Sequence, residues 1–316
     1  MSDIKLFSFA GNIAKEIQGT ASHLEKPLQH LIEANLAPLL AIRFLATEYS
    51  TGKTHAGRID TLGLDENNSP VIIEYKRSSH ENIINQGLFY LDWLMDHTAE
   101  FKLLVLEKFG KPAADAIDWT APRLICIAAD FTKYDSHAVQ QMDRNIELIR
   151  YRQFGKELLL LELVNAVAAE ALPAKKAKVN KSVGTDKTVV DWFADMSPAI
   201  RSVFDSLERY LTSLGDDVQR KDLKLYIAFK RLRNFVTVCF QKNNLLVYLH
   251  VDPDQVDLVD GLTRDVREIG HWGTGNVEVT VRNLADLDKA KPLLLQAYEG
   301  KTTQTDLIQS NAPESQ

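Results

Sequence analysis

The stretch Gly57-Arg-Ile-Asp-Thr-Leu-Gly-Leu-Asp-Glu-Asn-Asn-Ser-Pro-Val-Ile-Ile-Glu-Tyr-Lys76 decides how this chain is read. Two apolar runs, 56–64 and 70–77, flank the turn-forming segment Asp65–Ser69. A gap this short between strand-like runs is a hairpin. With the turn centred near Asn67-Asn68, Asp60 falls beside Glu74 and Tyr75. Residues two apart share a strand face, so Glu74 and Lys76 point one way and Tyr75 the other. Charge in a strand that begins Val71-Ile72-Ile73 needs a partner. One reading is an ion pair, Glu74–Lys76 or Asp60–Lys76, at a solvated sheet end. The other is a Mg²⁺ or Mn²⁺ site, because hard cations take one or two carboxylates plus waters and phosphate oxygens. A bare Glu-x-Lys triplet decides nothing, since Glu299-Gly300-Lys301 repeats it outside any strand. The upstream acid across a short hairpin is what distinguishes the first.

Outward from the hairpin, the pattern predicts an N-terminal amphipathic helix in SHLEKPLQHLIEAN, with Ser22 as N-cap and Glu25 as its capping-box partner. It predicts a strand over 40–50, a helix over 81–97 and a second over 99–109. A strand over 123–131, a helix from Asp135 to Tyr151 and a strand over 157–164 follow. Both of those strands are apolar throughout and are expected to be covered on two faces. The expected class is α/β with a mixed central sheet flanked by helices, plus a second small α+β domain.

The sequence divides into about 1–172 and 189–300. Between them 173–188 is Lys-rich and lacks periodicity, a basic linker, and 301–316 reads as a disordered polar tail. The second domain is expected as helix 192–214, strands 223–231, 234–240, 245–251 and 276–282, and helix 284–298. The stretch 220–233 carries six basic residues against Asp222, interleaved with Tyr226 and Phe229. Such a stretch tracks a nucleic-acid backbone or is a solvated edge over core rings. His271-Trp-Gly-Thr-Gly275 forms a tight aromatic turn, able to hold a base or a partner, or simply to lead into a strand.

The 316 residues carry 37 Lys+Arg against 43 Asp+Glu, a net −6, which excludes a protein that coats DNA by bulk charge. No apolar run approaches the roughly 18 residues of a membrane span, and no signal peptide is expected. Cys126 and Cys239 lie singly in apolar runs. They read as buried reduced thiols of a cytoplasmic protein, which excludes a disulfide scaffold and a Cys-based zinc site. Gly52-Lys53-Thr54 mimics the end of a phosphate-binding loop, but Thr47 stands where its first glycine belongs.

Taken together, the helix with Glu25, GRID at 57–60, IIEYK at 72–76 and NQGLFYLDWL at 85–94 resemble the PD-(D/E)xK restriction-endonuclease superfamily. The likeness is strongest to the RecB-like domain of NucS-type mismatch endonucleases and covers roughly residues 20–165. The resemblance implies a restriction-endonuclease-like fold and a metal-dependent DNA nuclease. Asp60 and Glu74 would ligate the metal, with the Tyr75 carbonyl as third ligand, and Lys76 would be the catalytic lysine. Glu25 would complete the acidic site, and Gln86 and Tyr90, one helical turn apart, would line it. Each also has a plain structural role, Glu25 as a cap partner and the other two as polar residues at the core edge. Arg58, Arg77, Lys53 and His55 flank the carboxylates and match phosphate contacts or surface ion pairs. In the second domain Lys230, Arg231 and Arg233 are the candidate nucleic-acid contacts. The segment 265–279 resembles the signature of an uncharacterised small domain found in such nuclease-like proteins. DNA is the expected partner, with RNA and a homodimer both allowed. The alternative is a catalytically inactive binding or regulatory module on the same fold.

Overall fold

The computed structural model describes residues 4–21, 25–52, 56–77, 82–167 and 187–300. The proposed linker, the tail, Ser22, Lys53 and His55 lie outside these, apart from Lys187 and Thr188. The chain forms two compact units, Met1–Glu170 and Ala171–Gln316.

The first unit opens with an antiparallel hairpin of β1 (Leu6–Ala10) and β2 (Ile13–Ile17), which the hydrophobic pattern did not single out. Short β3 (Gly19–Thr20) and helices α1 (Glu25–Glu33) and α2 (Leu36–Leu40) follow. Strands β4 (Ile42–Ser50), β5 (Arg58–Asp65) and β6 (Pro70–Lys76) form an antiparallel meander. Its second turn is set locally: the Asp65 carboxylate accepts the Asn67 and Ser69 N–H groups, while Asn68 takes φ +60°. Asn tolerates that left-handed conformation. Helices α3 (Ile83–Asp96) and α4 (Thr98–Asp115) then carry the chain to β7 (Arg123–Ala128), parallel to β6. The regular part of α4 stops at Gly110 (φ +81°), just ahead of Pro112, which cannot donate to the helix ladder. Helix α5 (Lys133–Gln140) leads to β8 (Asn145–Phe154), parallel to β7, and β9 (Leu158–Val167) pairs antiparallel with β8. The strand order is β3-β8-β7-β6-β5-β4, with β9 on β8.

Two expectations fail here. The helix expected from Asp135 to Tyr151 ends at Gln140, and Asn145–Phe154 is a strand. Ile146 and Leu148 alternate into the core of this unit, a period of two that outweighs helix propensity. Among the described strands β9 pairs with β8 alone and is half-exposed, with Leu158 exposed, so it is not covered on both faces. Strand β7, by contrast, is buried along its whole length. The core packs Leu62, Leu64, Ile72, Leu124 and Leu148 against Leu91, Trp93 and Leu94 of α3 and Phe101 and Val105 of α4.

The second unit is an antiparallel sheet with helices on one face. Helices α6 (Val189–Asp195) and α7 (Pro198–Ser213) replace the single helix expected. Ser197 caps α7 through Ile200 N–H, and Pro198 at its first turn forbids a continuous helix. The strand expected over 223–231 is instead a hairpin of β10 (Gln219–Asp222) and β11 (Ile227–Lys230). Strands β12 (Asn234–Phe240), β13 (Leu245–Leu249), β14 (Thr263–Asp265) and β15 (Val277–Val281) and helix α8 (Leu284–Glu299) complete it. The order is β10-β11-β12-β13-β15-β14. Val236, Val238, Phe240, Val247 and Val279 join Phe204, Leu207 and Leu294 of the helices in one core. The molecule is thus a mixed central sheet flanked by helices, plus a second, antiparallel sheet with its own helices.

Candidate active site

The β5–β6 ladder ends at the pair Thr61↔Ile73, one step short of Asp60 and Glu74. Beyond it the side chains replace the backbone. Tyr75 N–H donates to Asp60 Oδ2 at 3.0 Å, and Asp60 N–H donates to Glu74 Oε1 at 3.2 Å. Each carboxylate therefore takes a backbone donor of the other's strand, and the two acids are held across the gap. A strand residue directs its N–H and C=O to the same side, so the Tyr75 carbonyl also lies on the β5 side.

Glu74 is fully buried, at 0% exposure, and among the described residues its Oε2 has no hydrogen-bond partner. Leaving a buried carboxylate oxygen unpaired costs roughly 1–3 kcal/mol or more. Burial, then the neighbouring Asp60 charge, push the Glu74 carboxyl up to about 9, against the lowering effect of Asp60 N–H and Lys76. Asp60 rises to about 6, mainly through burial, with Tyr75 N–H and Lys76 opposing and Glu48 and Glu25 adding to it. Lys76 Nζ lies 3.6 Å from Glu25 Oε2, so α1 holds the lysine beside the paired acids.

Behind this group stands α3. Tyr90 Oη accepts the Arg58 N–H at 3.1 Å and receives Gln86 Nε2 at 3.4 Å. That fixes the first residue of β5, two before Asp60. Gly57 is required next to it, because a Cβ there would stand 2.5 Å from the Tyr90 ring. The Arg58 side chain is mostly exposed and pairs with Glu48 at 3.2 Å. Arg77 is exposed just past the end of β6.

Three residues on this side of the sheet escaped the sequence reading. Glu48 lies across from Asp60 in the β4–β5 register, between the pairs Thr47↔Thr61 and Tyr49↔Ile59, with a left-handed φ of +49°. The register alone could have found it. Gln29 Nε2 donates to the Asp60 carbonyl at 2.9 Å, and also to Glu33 and Thr47. Glu33 accepts the Thr61 hydroxyl at 2.6 Å. Gln29 is one helical turn after Glu25 and Glu33 two, a spacing visible on a helix face.

The donor set suits a hard divalent cation. It is all oxygen, two carboxylates converge, and one buried oxygen lacks a donor. Among the described residues no group of three or more His, Cys, Asp or Glu is placed to hold a metal ion. Mg²⁺ characteristically binds through only one or two carboxylates, with waters and phosphate oxygens filling the shell. Cys126, opposite Glu74 on β7, is buried, and burial pushes its thiol up.

The basic stretch of the second unit is placed differently from expectation. Arg231 is bound to Asp217 at 2.5 Å and lies over the Tyr298 ring, and Arg220 bonds both Asp222 and Glu208. Lys230 is buried. The six basic residues thus form no continuous open surface, and Arg233, half-buried, stands apart from the ion-paired pair. No helix of the described residues is long and apolar enough to cross a membrane.

Residues 189–301 match the model of a domain family of unknown function (DUF5655). An uncharacterised protein of Haemophilus influenzae is 29% identical over 306 residues, spanning 94% of this chain and all of that one. A repair endonuclease from Pyrococcus abyssi shares 17% identity over 42% of this chain and 49% of its own, with a TM-score of 0.27. The chain spans about half the length of that endonuclease.

Proposed function

We propose that the first unit is a divalent-metal-dependent endonuclease that hydrolyses DNA phosphodiester bonds, as its resemblance to the PD-(D/E)xK nucleases implies. The observation that carries this reading is the open end of the β5–β6 ladder, where the half-buried Asp60 and the buried Glu74 carboxylates meet and, among the described residues, Glu74 Oε2 lacks a donor. Asp60, Glu74 and the Tyr75 carbonyl are the residues to hold Mg²⁺ or Mn²⁺. When bound, the metal polarises the scissile phosphate and makes water a stronger nucleophile near neutral pH.

The protein's own residues do the rest. Glu74 gives up the proton that burial otherwise keeps on it. Lys76, held by Glu25, orients the attacking water and offsets charge developing on the phosphate. The Gln86–Tyr90 pair keeps β5, and with it Asp60, in place. Arg58 and Arg77 offer cations to the flanking phosphates. One such site cuts one strand, so a double-strand cut takes a second copy. The buried thiols fit a reducing cytoplasm.

The test incubates the full chain with flapped, mismatched, single-stranded and duplex DNA, and with RNA, each with Mg²⁺, Mn²⁺ or EDTA. Metal-dependent cutting of DNA that disappears in Asp60→Ala and Lys76→Ala is expected. Tight binding with no cutting under either metal would make the protein a binding module, and cutting confined to RNA would change the substrate class.

A further inference from the structure

The sheet of the second unit has one face without helices among the described residues. Along β12, Val236, Val238 and Phe240 enter the core beneath the helices, whereas Thr237 and Cys239 point to the opposite side. The chain after Val266 folds over that side and is pinned there. Thr274 N–H donates to Thr237 Oγ1 at 3.1 Å, and Thr237 Oγ1 donates back to the Thr274 carbonyl at 2.9 Å. Asn234 Nδ2 donates to Thr274 Oγ1 at 3.1 Å, and His250 Nε2 lies 2.9 Å from the same oxygen. Cys239 Sγ donates to the Trp272 carbonyl at 3.3 Å. The His271 ring lies flat on Tyr248, 4.1 Å between centroids. The approach is close enough to demand glycine: a Cβ on Gly273 (φ +84°) would meet Thr237 Oγ1 at 2.5 Å, and one on Gly275 (φ +142°) would meet Leu249 N at 2.8 Å.

A loop held at so many points cannot swing its side chains inward, yet Trp272 is 55% exposed. A fixed, outward tryptophan is a large stacking surface. Arg233 is tied to this loop through Asn234. It directly precedes Asn234, which holds Thr274 two residues from Trp272, and its charge reaches the half-buried His250, which meets the same Thr274 hydroxyl. Unlike Arg220 and Arg231, it has no ion pair among the described residues. An exposed aromatic face and a guanidinium without an ion pair, joined through the Asn234–Thr274 contact, are the chemistry that takes a base and its phosphate. In a duplex the base faces are already stacked on one another, so only an unpaired strand can use such a ring.

We propose that the Trp272 loop and Arg233 of the second unit bind a single-stranded polynucleotide, one base stacking on Trp272 and a phosphate meeting Arg233. This deepens the nuclease reading, on which it rests for the class of partner, by naming the form of nucleic acid that is gripped and the residues that grip it.

The test is fluorescence anisotropy of the full chain in EDTA, where metal-dependent cutting is absent, with labelled oligothymidylate, oligouridylate and blunt duplex. Trp272→Ala is expected to weaken single-strand binding by roughly 5- to 150-fold, with Trp272→Phe restoring most of it. Arg233→Ala should flatten the dependence of log Kd on log salt by about 0.7. Tight binding of either single strand through Trp272 supports the site, and the two probes tell whether the sugar matters. Single-strand affinity unchanged in Trp272→Ala overturns it, as does a Trp272-dependent self-association with no affinity for either strand. Cutting in Mg²⁺ with unchanged binding by Trp272→Ala sinks this inference alone. Trp272-dependent binding without cutting under any metal leaves this site standing and sinks the nuclease.

Discussion

Each unit buries a polar cluster in its sheet, and the two clusters are built on opposite terms. In the first, Asp60 and Glu74 sit where the β5–β6 ladder has opened, and Glu74 Oε2 has no donor. In the second, Asn234 and His250 meet the Thr274 hydroxyl, while the Thr237 hydroxyl bonds the Thr274 backbone N–H and carbonyl. A satisfied buried network makes its surroundings rigid, which is what holds the Trp272 loop still. An unsatisfied one destabilises the fold and is retained where a bound group supplies the missing partner. The first cluster therefore fits the proposed chemistry, and the second acts as a support.

The largest consequence concerns catalysis. Lys76→Ala should lower DNA cutting by roughly 10²- to 10⁴-fold while leaving oligothymidylate binding in EDTA unchanged, measured by initial rates and anisotropy. Should both fall together, the division of labour between the units is wrong.

Next come two substitutions of opposite sign, read by denaturant unfolding in EDTA above about pH 9, where Glu74 is ionised. Glu74→Gln removes a buried charge with an unpaired oxygen and should stabilise the first unit, by about 1–3 kcal/mol. Thr274→Val strips partners from His250 and Asn234 and should destabilise the second by a similar amount. Two destabilisations would erase the contrast.

The pH response separates the units further. Glu74, at about 9, and Asp60, at about 6, are raised above ordinary carboxyl values of 4.5 and 3.8. The fold then holds the proton more tightly than the unfolded chain does. Their contribution is complete below those ordinary values and is lost as pH rises through about 6 and then about 9. His250 goes the other way. Burial, with Arg233 and His271 adding to it, lowers it from 6.5 to about 4, so its contribution is complete above 6.5 and is lost as pH falls through about 4. Unfolding midpoints in EDTA should thus fall toward alkali for the first unit and toward acid for the second. Mg²⁺ should restore only the alkaline loss.

The smallest effect is a control. Thr132 and Thr188 each close a full capping box, with Asp135 and Asp191, one in each unit. Replacing either with Ala should cost about 1 kcal/mol, equally in both units, because capping is indifferent to what the sheet buries.

How far the sequence reaches depends on how local each feature is. The Asp65–Ser69 turn forces the register that brings Asp60 opposite Glu74, so the paired acids were legible from residues close in sequence. The one-turn spacing of Gln86 and Tyr90 was equally plain. Other features depended on neighbours far along the chain. Asn145–Phe154 is a strand because β7 and β9 flank it, although its residues also suit a helix. The basic run 220–233 is largely spent on Asp217, Asp222 and Glu208, acids that a charge count cannot assign to partners. Glu48 and Gln29 reach Asp60 only once β4 and α1 have packed.

By itself, then, the sequence determined the hairpin, the juxtaposed carboxylates and the two-sheet α/β class, because turn chemistry and hydrophobic period act over a few residues. Only the tertiary structure decided that Glu74 keeps an oxygen without a donor, that Arg233 keeps its charge free of an ion pair among the described residues, and that Trp272 faces outward. Burial and pairing are properties of the surroundings, and folding supplies those surroundings from distant parts of the chain.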